Sequence, residues 1–490
     1  MHGIAGTYGS EDKALVRKML GRIRHRGPEV SRTRTGDRFA LGACALPPRR
    51  SGRSQPLAEE AGLAVACDSY MFNRTLLRER FAPELEEGFT DAQLLLRMYR
   101  SLGTRAFNYI DGAFAAAVDD GGKMVLARDR YGIKPLYLSG GLRAGSFSSE
   151  IKSQVLAKGD FVPFPPGKVM KQGKGLYPIR PARLRPEVRG GKESPHRCLR
   201  RLLVESVSEC SEGMPNLNVL LSGGIDSSAV AAAAAQVAPR LDTVCVGFPG
   251  GVDLDMARKV AENLGTSHKE GVYTVEEMLA SLDDVIYAAE TFDFPLVRSC
   301  IPNFMATRMF RGPTRLTLCG EGGDEIFAGY DYMRDIRDEA KLASERRNLL
   351  RTGWKTGFQR VDRMNASASL DGRMPLMDGR VIELGLRLGW RDLGRSPNRC
   401  KLTLRRAFED VLPEEVMRRR KQRFSDGAGS MHALVKVSDQ LISDKEFEKE
   451  RRALPRNRIR TKEELLYYRI FEKHFPSPSA AAAVGFTPRP

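Results

Sequence analysis

The sequence predicts a two-domain α/β protein: an α+β sheet layer over residues 1–170, a linker over 171–195, and a doubly wound parallel sheet with a helical extension over 196–476. Three observations predict it. In the first third, short runs such as FALGACAL, GLAVACDSY, GAFAAAVDD and KMVLARDR alternate with two helical patterns near 11–25 and 90–102, and many short strands with few helices build sheet layers. Further on, segments alternate strand, helix, strand, helix, strand, an order that gives parallel strands with ligands at their carboxyl ends. Between the two parts, KQGKGLYPIRPARLRPEVRGGKESP (Lys171 to Pro195) is rich in Gly, Pro and Arg without a sustained period, as linkers are.

The second domain is organised around NVLLSGGIDSSAVAAAAAQVA, Asn218 to Ala238. Val219, Leu220 and Leu221 end a buried strand. Ser222, Gly223 and Gly224 form a turn whose small side chains let backbone N–H groups approach an anion, and the helix opening near Asp226 aims its positive dipole at the same place. A carboxylate there repels phosphate unless a divalent cation lies between them, so Asp226 reads as a magnesium ligand. LDTVCVGFPG (Leu241 to Gly250) is a second strand, MARKVAENLG (Met256 to Gly265) a helix with a glycine stop, and TRLTLCGEGGDE (Thr314 to Glu325) a third strand ending in a glycine turn. Three strand ends then face one crevice: Ser222 to Ser228, Val246 to Phe248, and Cys319 to Asp324. A helix over His196 to Cys210 leads into the first of them, residues 327–475 read as mostly helical, and SPSAAAAVGFTPRP from Ser477 reads as a flexible tail over 477–490.

The 490 residues carry 79 Lys+Arg against 61 Asp+Glu, a net charge of +18. The excess is diffuse, and the clusters Arg22 to Arg26, Arg418 to Arg423 and Arg451 to Arg460 lack interleaved aromatics, so they read as solvated surface rather than a nucleic-acid face. Eight scattered cysteines without a C-x-x-C pair, and no apolar leader, point to a cytoplasmic protein with reduced thiols. No apolar run approaches the roughly 18 residues of a membrane span.

Several motifs carry a resemblance. MHGIAGTYG at the start, RHRGP (Arg24 to Pro28) and RDRYGIKPLY (Arg128 to Tyr137) resemble the Ntn-type glutamine amidotransferase sandwich that begins asparagine synthetases. That family opens MCGIAG, its cysteine supplying thiolate nucleophile and free α-amine. Here His2 takes the cysteine's place, and a histidine is too large for efficient removal of Met1. The family's carboxylate-clamping arginine falls at Ala45, its Asn-Gly-Glu at Ala66, Cys67 and Asp68, and Asp91 of FTDAQLL matches a pocket carboxylate. Without clamp and oxyanion donors the resemblance implies an inactive glutaminase, kept as a packing partner.

SGGIDSS resembles the pyrophosphate loop of enzymes that split ATP into AMP and pyrophosphate, unlike the G-x-x-x-x-G-K-S/T loop of γ-phosphate users. CGEGGDEIFAGY resembles the asparagine synthetase motif, which implies that Glu321 acts near the acyl-adenylate or accepts a proton from the amine, and that Asp324 shares magnesium with Asp226. The implied ATP-binding set is Leu221, Ser222, Gly223, Gly224, Asp226, Ser227, Ser228, Val246, Cys319 and Gly320. ETFDFPLVRSCIP makes Glu290, Asp293 and Arg298 candidates for substrate recognition or ordinary ion pairs. FQRVDRMNASASLDGRMPLMD and KLTLRRAFEDVLPEEVMRRRKQRFSDGAG resemble later family blocks; Asp371 is one methylene short of the usual glutamate, and Lys421 before RFSDG is implied to neutralise the α-phosphate and leaving pyrophosphate.

The implied function is an ATP- and magnesium-dependent ligase that adenylates a carboxylate, aspartate first among candidates, and transfers ammonia to give the amide and AMP. The alternative is a ring- or amide-forming ligase on another carboxylate and amine, as in β-lactam synthetases, which place tyrosine where this chain has Glu321. An RNA-modifying protein is disfavoured by the lack of a sulfur-carrying cysteine pair or RNA module, and a non-catalytic partner by the presence of Ser222, Asp226, Glu321, Asp324 and Lys421 together. A homodimer and a separate ammonia donor are left open; membrane and nucleic acid are not expected partners.

Overall fold

The computed structural model describes residues 2–46, 56–185, 193–211, 213–396, 399–420, 431–454 and 459–487. Its first part contains β1 (His2–Tyr8), β2 (Val30–Gly36), β3 (Phe39–Ala45), β4 (Leu57–Glu60), β5 (Leu63–Met71), β6 (Gly112–Asp120), β7 (Lys123–Arg128), β8 (Tyr137–Gly140), β9 (Gly145–Ser148), β10 (Phe161–Pro163), β11 (Lys168–Lys171) and β12 (Gly175–Pro178). One sheet runs β10-β8-β9-β1-β3-β2, the other β12-β11-β7-β6-β5-β4. Period-two alternation sorts the side chains: Ile4, Leu41 and Ala43 meet Ala64, Ala66 and Ala117 between the sheets. The outer faces are covered by helices, Lys13–Arg22 over Ala5, Ala40 and Cys44 and Asp91–Leu102 over Val65, Cys67 and Val118. Strands buried on both faces are mostly apolar along their length, which is why these runs show so little polar alternation.

The sheet extends beyond the expected boundary at 170. β11 pairs with both β7 and β12, so the first residues assigned to a linker are strand. Ladder hydrogen bonds hold them there despite a sequence with little apolar signal.

The second part contributes β13 (Asn216–Leu220), β14 (Arg240–Gly247), β15 (Ser267–Val272), β16 (Leu316–Leu318) and β17 (Asp371–Arg373), all parallel, in the order β15-β14-β13-β16-β17. The winding reverses at β13, which pairs with β14 on one side and β16 on the other, so a crevice opens beyond the carboxyl ends of β13 and β16. Two strands escaped the sequence reading. β15, SHKEGV, is polar, as an edge strand can be; β17 has only three residues inside a stretch read as helical and is recruited by pairing with β16. The helix Ile225–Ala235 follows β13, with Ala229 through Ala234 all 0% exposed, and its methyl-sized side chains let a helix be enclosed on every side.

The expected flexible tail is corrected. Pro478–Ala483 is helical, and Ala480 is buried in the same cluster as Phe161 of β10, because alanine methyls allow close approach; Thr487 bonds Asp293. No helix among the described residues is long and apolar enough to cross a membrane.

Where the two parts meet, Asp111 accepts a hydrogen bond from the Gly379 N–H (3.2 Å) at the start of the helix Gly379–Arg387. Burial, then the neighbouring Asp378 charge, push the Asp111 carboxyl up to about 7. The folded-state value therefore lies above the unfolded one (about 3.9), so the folded state holds the extra proton and stability falls as pH rises between the two values. Asp111→Asn is expected to raise the melting temperature over wild type by a few degrees more at pH 8 than at pH 5. Equal shifts in thermal melts at both pH values would remove this assignment.

Candidate active site at the switch point of the parallel sheet

The turn after β13 is shaped by two serines. The Ser222 N–H donates to Ser227 Oγ (3.2 Å), the Ser222 and Ser227 hydroxyls lie 3.1 Å apart, and Ser227 Oγ donates to the Gly224 carbonyl (3.1 Å). Gly223 has φ +65°, and a Cβ there would lie 2.6 Å from the Ala257 nitrogen, so only glycine closes this turn. Gly224 is the N-cap of the helix Ile225–Ala235 and offers no side-chain cap. Gly320, after β16, presses on this loop: its Cβ would sit 2.6 Å from the Ser227 nitrogen. The two predicted loops are therefore in contact.

Asp226 and Asp324 converge on one cation. The Lys401 ammonium contacts both carboxylates, 2.6 Å from Asp324 Oδ1, and its side chain is 0% exposed. Lys401 has φ +57°, a left-handed conformation uncommon for a side chain of this size and typical of functional sites. Arg419 donates to the Ser222 carbonyl (3.1 Å) and pairs with Asp253. Arg405 gives its donors to the carbonyls of Cys400, Val416, Met417 and Arg419, fixing the segment that carries Arg419. The cavity among these groups is lined by Ser222, Gly224, Asp226, Lys401, Arg419 and Arg420, a set of donors and cations suited to a polyphosphate. Sequence reasoning missed Lys401, Arg405 and Arg419. It also treated the cluster at Arg418 to Arg423 as solvated, whereas Arg419 faces the loop; Arg26 and Arg460, from the other two clusters, are interior as well, with side chains 0% and 9% exposed.

Glu321, in the turn after β16, is gripped by Arg360 at 2.5 Å. Burial opposes the Arg360 charge, but Glu321, with Cys300 and Tyr330 adding to it, holds the guanidinium above its ordinary value. Beside it, burial and then the Glu321 and Asp324 charges push the Glu325 carboxyl up to about 7, and Tyr330 donates its hydroxyl proton to Glu325 (2.6 Å). Leu221 and Ser228 are buried in the strand-to-helix connection, Val246 presents a buried side chain at the end of β14, and burial pushes the Cys319 thiol up to about 12. Lys421 lies outside the described residues.

The three substrate candidates are engaged by protein groups. Glu290 is fully buried and accepts from the Ile151 and Lys152 N–H groups (2.8 and 2.7 Å) and from Arg363 (2.8 Å). Asp293 pairs with Arg460 and accepts from the Thr487 N–H (3.1 Å), and Arg298 pairs with Glu463. Among the described residues each of the three is held in an ion pair: Glu290 with Arg363, Asp293 with Arg460 and Arg298 with Glu463.

In the first part, strand register sets His2 opposite Ala45 and places Ala66 and Cys67 on β5. The His2 N–H donates to Asp68 (2.9 Å). Asp68 is buried, yet Lys134 and Arg26 hold its carboxyl well below the usual range. Burial pushes the Cys67 thiol up, away from a reactive thiolate. Asp91 accepts from Ser69 (2.8 Å) and Arg74 (2.7 Å).

Comparison with known proteins agrees with this architecture. The family model described as asparagine synthase matches residues 198–359 and 350–488, and that of a glutamine amidotransferase domain matches 1–162. The chain is 30% identical over 524 residues to glutamine-hydrolysing asparagine synthetase 2 of Arabidopsis thaliana, covering 99% of this chain and 89% of that protein. It is 28% identical over 525 residues to the glutamine-hydrolysing asparagine synthetase of Zea mays, covering 100% and 89%. An ATP-dependent ligase with an amidotransferase-like first domain is the class that fold and site define. The chain belongs to the asparagine synthase family.

Proposed function

We propose that this ligase adenylates a carboxylate, aspartate first among candidates, releases pyrophosphate, and transfers ammonia to the acyl-adenylate without a working glutaminase of its own. The observation that carries the reading is the convergence of Asp226 and Asp324, from two different strand ends, on one cation beside the Ser222 to Ser227 turn. The turn's N–H groups and the helix N-terminus receive the pyrophosphate portion of ATP. Arg419 and Lys401 offset its negative charge, and Lys421 is assigned the same task from the resemblance. Two carboxylates fit magnesium, which keeps several waters and takes its remaining ligands from substrate phosphates. The fit requires the Lys401 ammonium to yield its place. Magnesium, when bound, supplies charge neutralisation at the leaving pyrophosphate. Glu321 accepts a proton from the incoming amine.

The relatives' names describe glutamine hydrolysis; here His2, Ala45, Ala66 and Cys67 replace the groups that the resemblance requires for it. Introducing the nucleophile alone, His2→Cys, is therefore expected to leave glutamine hydrolysis at background, because the clamp and oxyanion donors are still missing. Glutamate release from glutamine is the assay, and turnover above the wild-type level would mean that the rest of the pocket works.

The decisive experiment measures aspartate-dependent pyrophosphate release and asparagine formation from ATP with ammonium or glutamine. Ammonium alone is expected to support both. Use of glutamine overturns the reading of His2, and silence with aspartate transfers the proposal to another carboxylate.

A further inference from the structure

The helix Gly357–Ser367 touches both halves of the molecule. At its first turn it meets the catalytic loop: a Cβ at Gly357 would collide with Glu321 Oε1 and push the carboxylate aside, and Arg360 takes the other carboxylate oxygen at 2.5 Å. Two and three residues on, the same helix is held by the first domain. Asp362 accepts two hydrogen bonds from Arg26, at 2.8 and 3.0 Å, and Arg363 pairs with Glu150 at 2.8 Å. Arg26 continues to Asp68 (2.8 Å) and to the His2 carbonyl (3.1 Å), inside the altered amidotransferase pocket. Lys134 adds contacts to Asp68, Asp362 and Asp371. Arg26, Lys134 and Glu150 are 0% exposed and Asp362 and Arg363 nearly so.

We propose that the first domain acts as a brace on the active site: Arg26 and Glu150 fix the helix 357–367 in the position that sets Arg360 on Glu321. The physical reason is geometric. At about 100° per residue, Asp362 leaves the helix on the side opposite Arg360, while Arg363 lies near Arg360's own face. Clamping both sides prevents rotation about the helix axis. Planar guanidinium forks fix direction as well as distance, which a single point charge does not. Arg26 and Arg360 are then positioning residues for Glu321, and the pocket residue Asp68 anchors the chain of contacts. This rests on the reading of the chain as an adenylating ligase in which Glu321 serves the amine step.

The test uses the full-length chain and separates the half-reactions. Arg26→Lys keeps the charge and removes the fork. The paired variant Arg26→Gln with Asp362→Asn removes both charges, so that neither is left buried alone. Both are assayed, at a temperature where circular dichroism shows the native fold, for aspartate-dependent ATP–pyrophosphate exchange and for amide formation with ammonium. Exchange is expected to stay within about threefold of wild type, while kcat for amide formation falls at least about tenfold with KM for ATP unchanged. Arg26→Lys should add nothing further to an Arg360→Gln background, since both act through one carboxylate. Equal losses in both half-reactions, or unaltered amide formation, overturn the brace. A wild-type enzyme without exchange on aspartate or on any other carboxylate tried would instead remove the underlying reading, and the brace with it.

Discussion

Asp226→Asn is expected to lower aspartate-dependent pyrophosphate release about a thousandfold, roughly 4 kcal/mol of lost transition-state stabilisation. The amide keeps the size of the carboxylate, so the loop geometry set by Ser222, Ser227 and Gly223 survives. What goes is one of the two charges that face each other across Lys401. Two consequences follow and can be separated. The ion proposed between Asp226 and Asp324 loses a ligand, and the buried ammonium loses half its counter-charge, which in buried pairs costs about 3–5 kcal/mol of stability. Adding Lys401→Met to Asp226→Asn relieves the second problem and not the first. The double variant is therefore expected to regain thermal stability while staying inactive. Recovery of activity in it would show that the carboxylates serve only to bury the lysine, and an Asp226→Asn enzyme within tenfold of wild type would remove the metal assignment.

Glu321→Gln is expected to divide the reaction. In the proposed reaction adenylation depends on the phosphate loop and the cations around it, and pyrophosphate exchange should persist near the wild-type rate. Amide formation needs a proton acceptor for the incoming amine, and losing a positioned base costs about 10²–10⁴-fold. The Arg360 guanidinium loses its charged partner in this variant, so exchange also reports whether the loop is still in place. Exchange with little or no amide is the expected pattern; equal loss of both would make Glu321 a structural residue.

Much of the architecture was legible because it is local. The turn Ser222 to Ser228 is a contiguous signal, the alanine run announces an enclosed helix, and the alternation of strands and helices implies a parallel sheet with its crevice at the strand ends. β15 and β17 were illegible for a common reason: a polar edge strand and a three-residue strand are defined by the neighbour they pair with, not by their own period. The tail shows the same limit, since small residues that read as a flexible end become a helix once a surface exists to pack against.

The sequence by itself determined the fold class, the family resemblance, and the loops bearing Ser222, Asp226, Glu321 and Asp324, because each is encoded by neighbouring residues whose backbone geometry is local. Only the tertiary structure decided which cations meet them. Lys401 reaches Asp226 across 175 positions, Arg419 reaches Ser222 across 197, and Arg26 reaches Asp362 across 336. A basic residue reads the same in sequence whether water or a carboxylate surrounds it. Burial makes the difference, by removing the water that would otherwise screen the charge and leaving the partner across the interface to neutralise it.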